Sequence, residues 1–540
     1  MKKFLARLCA FALIIAMLVP ANVSRAATYD PDVNFKGKTV ILHTNDVHGK
    51  IAGYTYTKAL KATYERAGAE VILVDAGDYS QGQPEVSVYK GLSAIKIMNR
   101  AHYDYATLGN HEFDYGWPQL KKNLKKAKFT VLCADVFDEN GKILEGCKAN
   151  DVYKTKSGLK IGFFGLETPE AQTKTNPALI EGLKFVAGKD LYACAQAQVD
   201  ELAKKSDVII CLSHLGVDAS SEPNTSYDLA KNTTGIDFII DGHSHTVMEA
   251  GPNGEKIQST GTELKNIGVI VIDNKTKKIE DNYLIAVDET LPTSKLVAKK
   301  TNKYTNKINE LYGVVFGKSE VDLNGDKAPG NRTEETNLGD LITDAMLAAV
   351  LKDKDSLVTV DEDHILAITN GGGIRASVPA GDITKKQLYT VLPFGNTVTV
   401  VYVTGAELLE ALEASCFDCP NAVGGFPQVS GIKFTIDTTK AYKANAETYP
   451  GSTYYGPSKI TRVSIDSING KKFSKTDTYA VITNNFVAAG GDTYYVFKAA
   501  SAYLDTGITL DQALMDYVLE KLGGTIGSDY AKPQGRITVK

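Results

Sequence analysis

Short β-branched runs that each stop at an Asp or a His most restrict what this chain can fold into. Residues 39–42 lead into His43-Thr44-Asn45-Asp46-Val47-His48, and residues 71–74 into Asp75-Ala76-Gly77-Asp78. Residues 208–210 lead to Ser213-His214, and residues 238–240 to Asp241-Gly242-His243-Ser244-His245. Between these pairs stands Gly109-Asn110-His111-Glu112-Phe113-Asp114, and residues 57–67 have helical spacing. Strand-like runs alternating with helix-like segments predict an α/β fold, in which ligands gather beyond the carboxyl ends of the strands. Five loops then converge on one crevice. Five of the eight histidines lie in those loops, a sorting that scattered core histidines would not show. His43, on a strand approach, and His102 and His364 read as structural.

The chain has 540 residues, enough for two or three domains, and a formal net charge of −4. That charge points to neither a nucleic-acid polymer nor a membrane surface as partner. Residues 1–26 read as a secretory signal: Lys2, Lys3 and Arg7, an apolar run over 8–19, then Pro20 and a Ser24-Arg25-Ala26 exit. No later apolar stretch approaches the ~18 residues of a membrane span, so an exported, soluble protein without stable membrane insertion is expected. Of the six cysteines beyond the signal, Cys416 and Cys419 could close a small disulfide loop, and Cys133 with Cys147 is a second candidate pair. Free thiols are the alternative. Cys211, in a strand-like run, reads as a buried small hydrophobe. Oligomeric state is not legible.

The pattern changes near residue 288. Residues 293–312 are polar and lysine-rich, with Val297, Tyr304, Ile308 and Leu311 at helical spacing. This predicts an amphipathic helix capped by Thr293 or Ser294 and stopped at Gly313. The expected division is a catalytic domain over 37–288, a linker helix over 289–313 and a second domain over 314–540. The second domain is expected to carry helices at 338–351, 405–415 and 510–522, and strands at 365–369, 397–403, 433–436 and 479–483.

The first domain offers Asp46, His48, Asp78, Asn110, His214, His243 and His245 as donors. Seven oxygen and nitrogen donors are more than one ion needs, whereas two ions ~3.5–4 Å apart sharing one carboxylate use them economically. Asp78, on the turn made by Gly77, is the natural bridge. A donor set of imidazole, amide and carboxylate without thiolate suits Zn, Mn, Co or Fe. Two such cations outweigh the two aspartates and a hydroxide, leaving a site attractive to a phosphate ester. Water with its pKa lowered towards ~7 supplies the nucleophile at neutral pH. The leaving oxygen needs a proton or a positive group, the role read for His111 oriented by Asp114.

In this order, Asp46-x-His48, Gly77-Asp78, Gly109-Asn110-His111-Glu112, Ser213-His214 and Gly242-His243-Ser244-His245 resemble the calcineurin-like metallophosphoesterases. The resemblance implies a sandwich of two mixed sheets flanked by helices. It also implies one ion on Asp46, His48, Asp78 and His245, and a second on Asp78, Asn110, His214 and His243.

Four stretches of the second domain narrow the substrate: residues 332–340, 370–375, 392–396 and 485–492. The glycine run that includes Gly372 lets backbone approach a ligand closely. Arg332 and Arg375 suit bidentate contacts to phosphate oxygens, with surface salt bridges as the competing reading. Phe394 and Phe486 could sandwich a nucleobase, and Asp492 could accept hydrogen bonds from ribose hydroxyls. These stretches resemble the C-terminal domain of the 5′-nucleotidase / UDP-sugar hydrolase family. That resemblance implies an α+β substrate-binding domain in which Phe394 and Phe486 stack on the base and Asn370 contacts it. Asp492 would then meet ribose, with Arg332 and Arg375 near ribose and phosphate, and the second domain would rotate about the linker. Two positions depart from the family pattern: Asn485, where several relatives have Ser, and His245, often Gln or Asn in nucleotidases.

The expected activity is release of phosphate from nucleoside 5′-monophosphates of the AMP type. The enzymatic alternatives are a UDP-sugar or NAD pyrophosphatase, or a 2′,3′-cyclic-nucleotide phosphodiesterase with 3′-nucleotidase activity. A nucleotide-binding surface protein with a vestigial site is the alternative of another class, and every donor position here holds a competent donor.

Overall fold

The structure is a computed structural model that describes residues 34–540; the secretory signal read over residues 1–26 lies outside the described residues. The strands expected from the β-branched runs all form, and they build two mixed sheets. The first has seven strands in the order Lys278–Ala286, Asn266–Asp273, Lys38–Thr44, Glu70–Asp75, Tyr105–Thr107, Thr130–Leu132, Cys147–Lys148. From Lys38–Thr44 to Cys147–Lys148 neighbours run parallel, and Asn266–Asp273 closes the other side antiparallel. The second has six, in the order Val247–Met248, Ile257–Thr260, Phe238–Asp241, Val208–His214, Lys160–Glu167, Asn150–Lys154.

The sheets pack face to face through Ile41, Ile72, Val74 and Leu132 of the first and Phe163, Ile210, Leu212 and Ile240 of the second, all fully buried. Helices cover the outer faces: Tyr54–Arg66 and Leu92–Ala101 outside the first sheet, Gly188–Leu202 outside the second. Central strands buried on both faces explain why these segments read as continuous apolar runs rather than as alternating ones.

The polar stretch near residue 300 is the helix Lys295–Tyr312, with Ser294 as its N-cap and Gly313 at its C-cap. Val297 joins the first domain's core. At the far end Tyr312 packs edge to face on Tyr389, 4.8 Å between ring centres, and Asn309 accepts a hydrogen bond from Lys386.

The second domain is built on a five-stranded sheet in the order Pro427–Ser430, Ile365–Asn370, Thr478–Asn484, Thr397–Thr404, Tyr503–Thr509. Ile365 and Ala367 enter one core and Leu366 and Ile368 the other, the two-residue alternation of a strand covered on both sides. The helices Asn337–Leu351 and Gly405–Ser415 match their expected spans closely. The expected helix over 510–522 forms in two parts. It runs as Leu510–Asp516, widens over Tyr517–Lys521, and stops at Gly523 and Gly524, whose φ values of +62° and +87° cannot continue it.

No cysteine pair forms among the described residues, so neither Cys416–Cys419 nor Cys133–Cys147 is bridged and the free-thiol alternative holds. Burial takes up these groups instead: Cys133, Cys416 and Cys419 lie in the cores, and the Cys133 thiol meets Asp135 at 3.6 Å. Cys211 is fully buried, as its strand context predicts. Among the described residues no helix is long and apolar enough to cross a membrane.

Candidate metal centre and substrate pocket

Strand register brings the donors together. Thr44 pairs with Asp75, Ser213 with Asp241 and His214 with Glu167, so parallel strands end level and their loops emerge side by side. Each loop reverses at once. Asp46, His48, Asp78, His243 and His245 have φ of +49°, +45°, +61°, +74° and +57°. That region costs a non-glycine residue about 1–2 kcal/mol, so the surrounding packing must impose it. Gly109 shows how close that packing is: a Cβ there would lie 2.3 Å from Asp78 Oδ1.

Glu112 ties two of the loops together. Its carboxylate accepts hydrogen bonds from the backbone N–H of Asp78 (2.8 Å), Tyr79 (3.0 Å), Ser80 (2.9 Å) and Gly109 (2.6 Å). Burial, helped by the Asp78 charge, pushes this carboxyl up to about 7 against the pull of those donors.

The donor atoms of Asp46, His48, Asp78, His214 and His245 converge as ligands of shared ions do, while His243 lies beside Asn110 outside those groups. His48 Nε2 and His245 Nε2 face each other at 2.9 Å, with Asp46 Oδ1 3.8 Å and 3.4 Å from them. Asp78 Oδ2 stands 3.9 Å from His48 Nε2 and 3.2 Å from His214 Nε2. His243 Nδ1 is 3.0 Å from Asn110 Oδ1. Two ligand atoms each about 2.1 Å from one ion and at right angles lie about 3 Å apart, which these spacings resemble. The His214 Nδ1–H donates to the Ala76 carbonyl at 2.6 Å, which leaves Nε2, buried without a hydrogen-bond partner, for an ion. Against the effect of burial, the Asp78 and Asp46 carboxylates raise the pKa of this ring well above its ordinary value. Burial holds His48 and His245 well below their ordinary values, hence neutral, the form in which imidazole binds a cation. Burial also pushes Asp46 up to about 7, a cost that a bound cation reverses. The residues present fit a centre for divalent cations. Donors of Asp46, His48 and His245, and of Asp46, Asp78 and His214, lie within 4.8 Å of one another.

A third such group, His48, Asp78 and His111, brings His111 close to the same centre. Its Nδ1 is 2.7 Å from Asp114 Oδ2, and its backbone N–H donates to Asp78 Oδ1 at 2.9 Å. Burial works against a charged His111, but Asp114 and Asp78 outweigh it and raise its pKa.

A cavity of about 250 Å³ opens from this centre to the second domain. Asp78, Asn110, His111, Asp114, His243 and His245 line one side; Arg332, Asn370, Gly372, Arg375, Phe394, Phe486 and Asp492 line the other. Asp46, His48 and His214 lie deeper, buried behind it. Neither arginine forms an ion pair among the described residues, so the competing salt-bridge reading does not apply to them. Phe394 stacks on His111 with ring centres 5.6 Å apart and carries the Arg375 guanidinium 5.9 Å from its centre. Phe486 is 8% exposed and rests one face on Gly491, where a Cβ would come within 2.4 Å of the ring. The Asn370 amide donates to Asp492 at 2.8 Å and accepts from Asn484 at 3.0 Å. Asn485 accepts from the Thr397 N–H at 3.3 Å.

Sequence reasoning missed Glu170, whose Oε2 is 2.7 Å from His243 Nε2, and Lys174, which also lines the cavity. The strand Lys160–Glu167 ends in an acid, as Glu70–Asp75 and Phe238–Asp241 do, and the strand-end rule applied to it points to this stretch.

A two-sheet sandwich with these donors at its strand ends, facing a second domain across a cavity, defines a two-domain metallophosphoesterase. Residues 39–247 match the calcineurin-like phosphoesterase family and residues 315–499 the 5′-nucleotidase C-terminal domain. The crystal structure of a 5′-nucleotidase precursor from Thermus thermophilus is similar to this chain with 30% identity and a TM-score of 0.76, covering 93% of this chain and 99% of that one. The chain belongs to the 5′-nucleotidase family, and it is a metal-dependent phosphoesterase. The 5′-nucleotidase of Vibrio cholerae is 29% identical over 94% of each chain. The trifunctional nucleotide phosphoesterase protein YfkN of Bacillus subtilis is 31% identical over 94% of this chain, which spans only 35% of that protein.

Proposed function

We propose that this protein is an exported 5′-nucleotidase that uses two divalent cations to release phosphate from nucleoside 5′-monophosphates of the AMP type. The observation that carries this reading is the single cavity joining the donor cluster to Phe394, Phe486, Asp492 and the two arginines. Asp46, His48, Asp78 and His245 would hold one ion, and Asp78, Asn110, His214 and His243 the other, with Zn, Mn or Co suited to such donors. Bound there, the ions supply Lewis acidity and lower the pKa of water at the phosphate. The chain's own groups do the rest. Arg332 and Arg375 hold phosphate and ribose oxygens, Asp492 accepts from the ribose hydroxyls, and Asn370 and the two phenylalanines receive the base. His111, its Nδ1 held by Asp114, turns Nε2 to the leaving oxygen and gives it a proton. Residues 37–288 then form the catalytic domain and 314–540 the substrate domain, with 289–313 as the linker about which they move. The export reading rests on residues 1–26 of the sequence.

The test is phosphate release from AMP, UDP-glucose, NAD and 2′,3′-cyclic AMP side by side, before and after chelation. AMP should be turned over fastest, with activity lost on chelation and restored by Mn, Co or Zn. A preference for NAD or the cyclic nucleotide would replace the monophosphatase assignment with one of the alternatives.

Phe486 gives a sharper test than Phe394, because Phe394 also supports His111. Base–aromatic stacking is worth about 1–3 kcal/mol, or roughly 5- to 150-fold. Phe486→Ala should lower kcat/KM for AMP by that factor, chiefly through KM. Turnover of glycerol phosphate, which has no base, should stay nearly unchanged. An equal loss on both substrates would assign Phe486 to the fold.

A further inference from the structure

One short stretch, residues 170–175, touches both the donors of the second ion and the substrate domain. Glu170 is 2% exposed, and its Oε2 lies 2.7 Å from His243 Nε2 and accepts from the Ser221 hydroxyl at 2.7 Å. Neutral imidazole carries one ring proton. With that proton on Nε2 towards the carboxylate, the Nδ1 lone pair faces the space it shares with Asn110 Oδ1, 3.0 Å away. Five residues on, the Thr175 hydroxyl donates to the backbone carbonyl of Asn110 at 2.6 Å. The same stretch therefore contacts two residues proposed for one ion, His243 at its ring and Asn110 at its backbone.

Its other contacts reach the second domain. The Thr173 carbonyl accepts the Asp492 N–H at 2.7 Å. The Lys174 ammonium lies 5.6 Å from the centre of the Tyr454 ring. Burial opposes its charge, but Tyr454, Glu170 and Asp492 around it favour the ammonium. Asp492 holds a φ of +48° and bonds Asn370, so what seats Asp492 also sets the far wall of the cavity.

We propose that residues 170–175 couple docking of the substrate domain to the geometry of the second ion's donors, with Glu170 a positioning residue for His243, the Thr173 carbonyl holding Asp492 and Lys174 meeting Tyr454 of the substrate domain. The proposal rests on the two-ion reading above and deepens it. Coupling of this kind is reciprocal: a ligand that draws the domains together tightens the ion, and the ion tightens that ligand to the same degree. Carboxylates that orient a ligand histidine through its other nitrogen typically account for about 10–100-fold in metal affinity or activity.

The experiment is a Mn²⁺ titration of the chelator-stripped full chain, with and without adenosine, which lacks the phosphate. Wild type should bind two ions, and adenosine should tighten the weaker one several-fold. Glu170→Gln, nearly isosteric, should weaken one ion about 10–100-fold whether adenosine is present or not. Lys174→Met should bind both ions like wild type without adenosine, lose the tightening, and show a raised KM for AMP; Lys174→Arg should restore both. Wild-type ion affinity in Glu170→Gln overturns the positioning role, and tightening retained in Lys174→Met overturns the coupling. His243→Ala separates these failures from a failure of the ion assignment. If it binds both ions normally, the donor set is wrong; if it loses one while Glu170→Gln does not, only Glu170's role falls.

Discussion

Asp78→Asn is expected to lose nearly all turnover and to leave purification without either ion. The substitution is close to isosteric, and Asn tolerates the φ of +61° at this position, so the loop has no reason to rearrange. What disappears is the carboxylate charge. Its Oδ2 stands 3.2 Å from His214 Nε2 and 3.9 Å from His48 Nε2, between the two donor groups, while Oδ1 accepts the His111 N–H. Among the described residues Asp46 is the other carboxylate near both imidazoles, 3.8 Å from His48 Nε2 and within 4.8 Å of His214, but Asp78 stands closer to His214. Elemental analysis after dialysis, alongside phosphate release from AMP, reads the result directly. A variant that keeps two ions and a normal rate would remove Asp78 from its place as the shared bridge.

His111→Asn should separate chemistry from ion binding. Loss of a positioned proton donor lowers turnover by ~10²–10⁴, and the ion content should hold at the wild-type level. The prediction has an edge because His111 shares a possible donor group with His48 and Asp78. If ion content falls with the rate, His111 is a ligand and the proton role must go elsewhere. Because Phe394 lies against this imidazole, a modest rise in KM for AMP should accompany the fall in turnover. Asp114→Asn should follow the same pattern more weakly, since it removes only the group that holds Nδ1.

The strands and their donors were legible in the sequence because two rules coincide there. A strand buried on both faces leaves an unbroken apolar run, and an Asp or His directly after it stands at the sheet's carboxyl edge. Glu112 was visible only as a motif letter. Its four backbone partners come from two loops more than 30 residues apart for three of them, and no local pattern records such a bond. Glu170 and Lys174 escaped for a related reason: they follow a strand end by a few residues, and their partners His243 and Tyr454 come from distant parts of the chain. The substrate residues emerged from family likeness rather than from periodicity, and the placement of Phe394 against His111 belongs to domain packing, which no segment of sequence carries alone. The helical stretch from Leu510 ends where its sequence indicates, just before the Gly523-Gly524 pair, but the widening over Tyr517–Lys521 leaves no mark in the apolar spacing.

The left-handed backbone at Asp46, His48, Asp78, His243 and His245 bears on how such a protein changes over generations. Asparagine is among the few side chains at ease in that conformation, and it is a single base change from both aspartate and histidine in the genetic code. Drift at these positions therefore has a route that relieves the backbone while removing a charge or an imidazole. A lineage released from selection for catalysis could travel it without losing the sandwich, and its descendants would look like intact members of the family. For any such descendant, the identity of these few loop residues says more about whether it still turns over substrate than the similarity of the whole chain does.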